Sequence, residues 1–290
     1  MSRLSRRDFL KTTVAAGALA GTGCSKKSAT DWVRLGNSGV QVTRLAMGSG
    51  TFGGRIQREL GQEQFTRLVR HAYDRGIRFF ETADAYREMP QRMATALKGI
   101  PRDTYKLMTK FRWRQADNPQ ATIDRLRKDL NTDYLDILLI HCVRTPDWAK
   151  QLEPLRDAFE QAKDKKIILA HGASCHGLAP LRTFPGDQWL DVALVRINHD
   201  GTRMDNLEDN GKKKGDVKEV VFHIRKLHDQ GCGVLGMKLM GEGRFTKPEQ
   251  RQASLKFVLR LGTVDAITIG YKNTAEIDEA IDRIGAILNA

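Results

Sequence analysis

Three apolar, β-rich runs in this chain end in side chains that can hold or move a proton. Phe79-Phe80 leads into Glu81-Thr82-Ala83-Asp84-Ala85-Tyr86, Leu107-Met108-Thr109 into Lys110, and Leu138-Leu139-Ile140 into His141. Brought to one place, a carboxylate, a phenol, an ammonium and an imidazole suit one kind of chemistry. A carbonyl that accepts hydride needs its oxygen polarised and then protonated. Tyrosine, titrating at about 10 in water, can give that proton when a nearby cation stabilises its phenolate. Lys110 is expected to be that cation, with Glu81 holding it charged and in place. His141 is expected to hydrogen-bond and orient the substrate oxygen. Taken singly, Glu81 and Lys110 read equally well as a rim ion pair, and His141 as a satisfied buried histidine. The set together carries the chemical reading.

For these groups to meet, the runs that carry them must be parallel strands of one sheet. From Leu45 onward the pattern predicts eight strands: Leu45–Gly48, Arg78–Glu81, Lys106–Lys110, Leu135–His141, Ile168–His171, Val192–Ile197, Gly233–Lys238 and Ala266–Ile269. Their spacing, roughly 25 to 35 residues, is that of a strand plus a returning helix. Helical periodicity fills the intervals, over Gln62–Arg75, Gln91–Leu97, Pro119–Leu130, Leu152–Lys165, Val217–Gln230, Lys247–Leu261 and Thr274–Leu288, with a short piece near Leu178–Phe184. Strict alternation predicts an α/β fold, a (β/α)8 TIM barrel, in which functional groups stand at the C-terminal strand ends. Trp32 to Thr43, with Gly36-Asn37-Ser38-Gly39 at its centre, predicts a β-hairpin ahead of the barrel. The runner-up is a doubly wound open sheet, which wants a glycine-rich turn opening a helix. Gly48-Ser49-Gly50-Thr51-Phe52-Gly53-Gly54 comes near that turn, but Arg55-Ile56-Gln57-Arg58 after it does not read as a packed helix.

The order of hairpin, Glu81-Thr82-Ala83 with Tyr86, strand-end Lys110 and Leu138-Leu139-Ile140-His141 resembles the aldo-keto reductases across almost all of the chain after residue 30. The resemblance implies that Tyr86 is the proton donor, with Lys110 and His141 in the family's lysine and histidine roles. Glu81 occupies the family's aspartate position; its extra methylene moves the carboxylate by about 1.5 Å, and Asp84 is the alternative partner for the lysine. On the cofactor side, Gly50-Thr51-Phe52 resembles the loop near the nicotinamide. Ser174 and Cys175 stand where the family has a Ser-Asn pair that holds the amide, Arg196 stands near an expected glutamine, and Met237 stands where many members stack an aromatic ring. Gly236-Met237-Lys238 resembles a branch often associated with iron-sulfur modules, but this sequence has no such cysteine module. Gly270-Tyr271-Lys272 through Glu276 resembles the phosphate- and adenine-binding segment. Glu276 falls where members that prefer NADPH often carry arginine, and a carboxylate there repels a 2′-phosphate that Lys272 attracts in part. The implied cofactor is NAD(P)H, with NADH at least as expected as NADPH. The implied substrate is a small carbonyl or alcohol compound, sugars included. The departures at Glu81, Cys175, Arg196 and Glu276 leave open a second class, a barrel that binds or serves as a subunit without moving hydride. Hydrolysis by Glu81 and Asp84 is weaker, because both lie on one short loop rather than flanking a cleft.

The first thirty residues read as address rather than fold. Ser5-Arg6-Arg7-Asp8-Phe9-Leu10-Lys11 resembles the twin-arginine export motif, and the apolar run from Thr12 to Ala20 is too short to span a membrane. Residues 1–30 are therefore expected to be a Tat signal and tether, with the Tat machinery as partner, and residues 31–290 to be the barrel. Ala18-Leu19-Ala20 suits a signal peptidase. Lipidation at Cys24 is the alternative and would leave the protein anchored to the membrane rather than free in the periplasm. A basic amphipathic start to a cytoplasmic protein is the weaker alternative for the same residues.

The 290 residues, 40% hydrophobic and 29% charged, suffice for one large domain or two small ones. No apolar run of 18 or more lies beyond the N-terminus, which excludes a polytopic membrane protein. Arg3, Arg6, Arg7 and Lys11 against Asp8 contribute +3 to the net charge of +13, leaving about +10. Lys212-Lys213-Lys214 is the only dense cluster, and the other basic residues alternate with acids along helices. That pattern describes a solvated surface and not a nucleic-acid face. Cys142, Cys175 and Cys232 have no metal-type spacing and are odd in number, so neither a zinc site nor a disulfide framework is expected. Substrate choice is expected in loops such as 199–216.

Overall fold

In the computed structural model, residues 26–113, 118–207 and 213–290 are described. The twin-arginine motif, the Ala18-Leu19-Ala20 site, Cys24 and Lys212 lie outside them. The hairpin forms as expected, from β1 (Trp32–Arg34) and β2 (Gln41–Thr43), paired antiparallel. Eight parallel strands then close into a barrel: β3 (Leu45–Gly48), β4 (Phe79–Glu81), β5 (Lys106–Phe111), β6 (Leu135–Val143), β7 (Ile168–Cys175), β8 (Val192–Arg196), β9 (Gly233–Met237) and β10 (Ala266–Gly270). β10 pairs with β3, so no strand edge is left open.

The pleat sorts each strand into two faces. Ala46, Phe79, Met108, Ile137, Leu139, Ala170, Leu194 and Leu235 point to the barrel axis and pack together. Their neighbours, among them Phe80, Leu107, Leu138, Ile140, Ala173 and Val234, face a second apolar layer under the helices. Leu35, Val40 and Val42 of the hairpin join the inner cluster, and Gly36 bridges Cys232, just before β9. The hairpin thus plugs the N-terminal end of the barrel and leaves the C-terminal rim for chemistry.

The helices bury the faces that their periodicity marks. α2 (Gly61–Asp74) buries Phe65, Leu68, Val69 and Ala72, and α6 (Glu153–Asp164) buries Leu155, Phe159 and Ala162. α3 (Met89–Leu97) and α4 (Pro119–Asp129) begin with proline at the first turn, where its missing N–H costs nothing. Asn118 caps α4, Asp216 caps α8 (Val217–Asp229) and Asn273 caps α10 (Thr274–Leu288), each side chain accepting a backbone N–H of the first turn. α9 (Pro248–Arg260) and the short α5 (Trp148–Gln151) and α7 (Leu178–Leu181) complete the ring. One expectation is corrected: Arg55–Glu59 is a helix, α1, and its Gln57 is buried. Among the described residues no helix is long and apolar enough to cross a membrane, no His, Cys, Asp and Glu cluster could hold a metal, and Cys142, Cys175 and Cys232 are free.

Candidate active site

Period-two alternation carries Glu81, Lys110 and His141 onto the axial face at the C-terminal ends of three adjacent strands. Phe79 and Met108 lie two residues below Glu81 and Lys110, and Leu139 two below His141, all in the inner cluster. Tyr86 follows on a short 3-10 turn, Asp84–Tyr86, that folds it back over the rim. Lys110 Nζ donates to the Glu81 carboxylate, to the Thr82 carbonyl at 2.9 Å and to the Tyr86 hydroxyl at 3.3 Å. The Thr268 hydroxyl donates to the other oxygen of Glu81 at 3.2 Å. The longer carboxylate fits because residue 48 is glycine: a Cβ there would lie 2.8 Å from Glu81 Oε2. Asp84 takes no part in holding Lys110 and pairs with Arg125 at 3.0 Å.

The electrostatics set the protonation states. Burial, and after it the Glu81 charge, raises the Tyr86 phenol well above 10, so it holds its proton at neutral pH. Burial lowers Lys110, opposed by the attraction of Glu81. His141 is pushed well below its ordinary value by burial and then by Lys110, which makes it a neutral donor or acceptor. Its ring meets that of Tyr86 edge to face, centroids 5.5 Å apart. Gly50 lies directly against the phenol, where an added Cβ would stand 2.6 Å from the hydroxyl.

Two spaces meet at this point. A groove of about 590 Å³ runs from Glu81, Tyr86 and Lys110 out to the start of α10. Gly50, Thr51, Met237, Lys238, Gly270, Lys272 and Glu276 all line it. Gln57 braces its wall, donating to Thr51 Oγ1 at 3.2 Å and to the Tyr271 carbonyl at 3.4 Å. Gly270 is required there, because a Cβ would fall 2.4 Å from Thr51 Oγ1. At the far end Glu276 accepts the Lys272 backbone N–H at 2.8 Å and closes the first turn of α10. A second cavity, of about 370 Å³, opens on the other side of Tyr86 beside His141 and His176.

Three expected cofactor residues fall elsewhere. Cys175 shares the outward parity of Ala173; it is buried in the layer beneath the helices, and its thiol donates to the Gly177 carbonyl at 3.2 Å. Ser174 accepts the Cys142 backbone N–H at 2.8 Å and so fastens an irregularity in β6, where the register shifts and Cys142 takes φ 65°. Arg196 lines the second cavity, bonded to Asp205 at 3.0 Å and to His176 Nδ1. None of the three reaches the groove wall. Sequence reading passed over Gln57, His176, Arg112, Arg144 and Glu242. The strand-end rule applies to Arg112 and Arg144, which stand immediately after β5 and β6.

Residues 44–289 match the sequence model of the aldo/keto reductase family. The chain belongs to that family. Residues 3–23 match the signal sequence of the twin-arginine translocation pathway, which supports export by that route. Among curated relatives, "Probable aldo-keto reductase 1" of Glycine max is 26% identical over 155 residues, 49% of this chain and 45% of that protein. "Glycerol 2-dehydrogenase (NADP(+))" of Saccharomyces cerevisiae is 29% identical over 120 residues, 41% of this chain and 34% of its own length. The matched stretch therefore spans less than half of either relative. Among solved structures, a putative aldo-keto reductase from Pseudomonas aeruginosa superposes with a TM-score of 0.69 at 20% identity, covering 91% of this chain and 98% of that one. The holo form of an aldo-keto reductase from Bacillus halodurans gives 0.69 at 17% identity, covering 90% of this chain and 91% of that one. At these identities the superpositions establish the barrel fold.

Proposed function

We propose that this aldo/keto reductase transfers hydride between a nicotinamide nucleotide and a small carbonyl or alcohol compound, with Tyr86 as the proton donor. The observation that carries the reading is that Tyr86 lines both the long groove and the second cavity while its hydroxyl receives the Lys110 hydrogen bond. The groove suits a nucleotide. It is long, its wall is cut back at Gly48, Gly50 and Gly270, and the buried Gln57 Oε1 has no hydrogen-bond partner among the described residues. Thr51, Gln57 and Gly270 would hold the end nearest Tyr86, with Lys272 and Asn273 at the helix end. A bound nicotinamide supplies or takes up the hydride.

The chain's own residues do the rest. His141 and Tyr86 present two donors to a carbonyl oxygen in the second cavity, polarising it as charge develops. Tyr86 then gives its proton, and Lys110, held by Glu81 and Thr82, stabilises the phenolate that remains. NAD(H) is held at least as tightly as NADP(H), because Glu276 places a carboxylate at the outer end of the groove. The barrel of residues 31–290 acts after Tat export, in the periplasm when the signal is removed near Ala20, or tethered to the membrane when Cys24 is lipidated.

Titration of the purified exported protein with NADH and NADPH, followed by carbonyl-dependent oxidation of the nucleotide, tests the reading. Micromolar nucleotide binding and turnover are expected. Tight nucleotide binding with no turnover of any carbonyl would instead favour a binding or subunit role.

A further inference from the structure

The cavity beside His141 carries a charge that hydride transfer does not need. Among the described residues, five of the ionised side chains lining it are cations and only Glu242 is an acid. Glu242 is shared, by Lys238 at 2.5 Å and Arg203 at 3.3 Å. Arg196 is matched from behind by buried Asp205. Arg112 and Arg144 remain, and neither has a carboxylate within ion-pair distance among the described residues. Arg144 donates Nε–H to Cys142 Sγ at 3.3 Å, which steadies its stem and leaves the terminal nitrogens of its fork. Both side chains are exposed at the rim.

Their placement follows from the barrel. Arg112 comes directly after β5 and Arg144 directly after β6, and these strands are paired, Lys110 with Leu139 and Phe111 with Ile140. Two guanidinium groups therefore stand on adjacent strand ends, beside those that carry Lys110 and His141. Their field reaches the reacting centre: His141 is held neutral mainly by burial and then by Lys110, and the Arg112 and Arg144 charges add to this. His176 is neutral as well, through burial and Arg196, and its Nδ1 accepts from Arg196, so its remaining ring nitrogen carries the proton. Two planar forks with a neutral imidazole donor form a receptor for an oxyanion, to which guanidinium binds through paired N–H groups.

We infer that the substrate is itself an anion, a carbonyl or alcohol compound bearing a carboxylate or phosphate group that Arg112 and Arg144 recognise while its reacting carbon faces Tyr86. This rests on the hydride-transfer reading of the same site and adds the charge of the molecule it acts on. The cavity, of about 370 Å³, has the size of a small-ligand pocket, so the acid and the reacting carbon belong to one small molecule.

Matched probes separate charge from shape. 4-Carboxybenzaldehyde, 4-formylphenyl phosphate and methyl 4-formylbenzoate share the aldehyde and the ring. At low ionic strength at least one acid is expected to show a KM at least about tenfold below that of the ester. The gap should narrow as salt is added. Arg112→Gln with Arg144→Gln, singly and together, should raise the KM of the acid and close the gap, with nucleotide affinity measured separately and unchanged. The acid that gains more identifies the group recognised. Calorimetry with 4-(hydroxymethyl)benzoate and its methyl ester, in the absence of nucleotide, should give the same order. If that order appears while no aldehyde is turned over, the anion site stands and the hydride reading falls. Equal KM values for acids and ester, or a double variant that weakens acid and ester alike, would overturn the anion assignment.

Discussion

A half-buried phenol beside a carboxylate, proposed to give up a proton, poses the central question at the scale of the residue. Burial and Glu81 both favour the protonated form of Tyr86, and Lys110, bonded at 3.3 Å, favours the phenolate. The phenol is therefore set up to donate. For carbonyl reduction the required form is the phenol, and a pKa raised above 10 keeps it present through neutral and mildly alkaline pH. Reduction is expected to be flat with pH in that range. Alcohol oxidation needs the phenolate, whose fraction grows roughly tenfold per pH unit below the pKa, so its rate should climb steeply with pH. Steady-state rates in both directions from pH 6 to pH 10 check this, and a reduction limb already falling near neutrality would count against it. Tyr86→Phe should cost about two to four orders of magnitude in turnover while nucleotide affinity changes by a few-fold at most. At the other end of the groove, Glu276 holds the Lys272 N–H, and the proposed nucleotide reading brings a 2′-phosphate towards it. A charged hydrogen bond to phosphate is worth about 1.5–3 kcal/mol, or roughly ten- to a hundredfold in affinity. Glu276→Arg should therefore shift the NADPH-to-NADH affinity ratio upward by about that factor. Calorimetry with both nucleotides measures it, and wild-type protein that binds NADPH tenfold more tightly would remove Glu276 from the phosphate site.

At the scale of the element, the pleat of each strand decides what can reach the axis. Reading parity from Ala170 places Gly172 and Ser174 inward and Ala173 and Cys175 outward, which is why Cys175 cannot face the groove. β7 runs to Cys175, four residues beyond its sequence-predicted end, because Ser174 pairs with the irregular turn of β6 at Cys142. At the opposite end of the barrel, Asp136 in β6 accepts the Leu107 N–H at 2.9 Å and pairs with Arg102 at 2.6 Å and Lys106 at 3.1 Å. It ties β5 to β6 on the side away from the chemistry. Asp136→Ala leaves the buried Leu107 N–H without its acceptor and should destabilise the fold by roughly 1–3 kcal/mol. Denaturant unfolding measures the loss, and kcat of the folded fraction should be unchanged.

For the whole molecule, the hairpin closes one end of the barrel, so groove and cavity share the other and, among the described residues, meet at Tyr86, Gly50, Lys238 and Glu242. A site assembled from strands far apart in the chain exists only after folding, and the twin-arginine route carries folded proteins. Replacing Arg6-Arg7 with Lys-Lys should therefore strand active protein in the cytoplasm. Fractionation with an activity assay follows it, and normal export of the double variant would end the assignment.

Strand positions, helix faces and the polar residues at strand ends were legible in the chain because each depends on local periodicity. Glu81, Lys110 and His141 stand out as polar residues at the ends of apolar runs, and Tyr86 lies five residues after Glu81. Other features depended on contacts between segments distant in sequence. Arg196 could not be assigned from its own strand, because its partners, Asp205 and His176, arrive from a loop beyond β8 and from the end of β7. The fit of Glu81 required knowing that Gly48 lies beside it across the β3–β4 pair. Gln57 looked like part of a loop because its helix, five residues long, is too short to show a period. The division follows from physics: the pleat and the helical repeat are properties of a few neighbouring residues, whereas ion-pair partners, the room for a carboxylate and the charge of a cavity are set by which strand ends the closed barrel brings together.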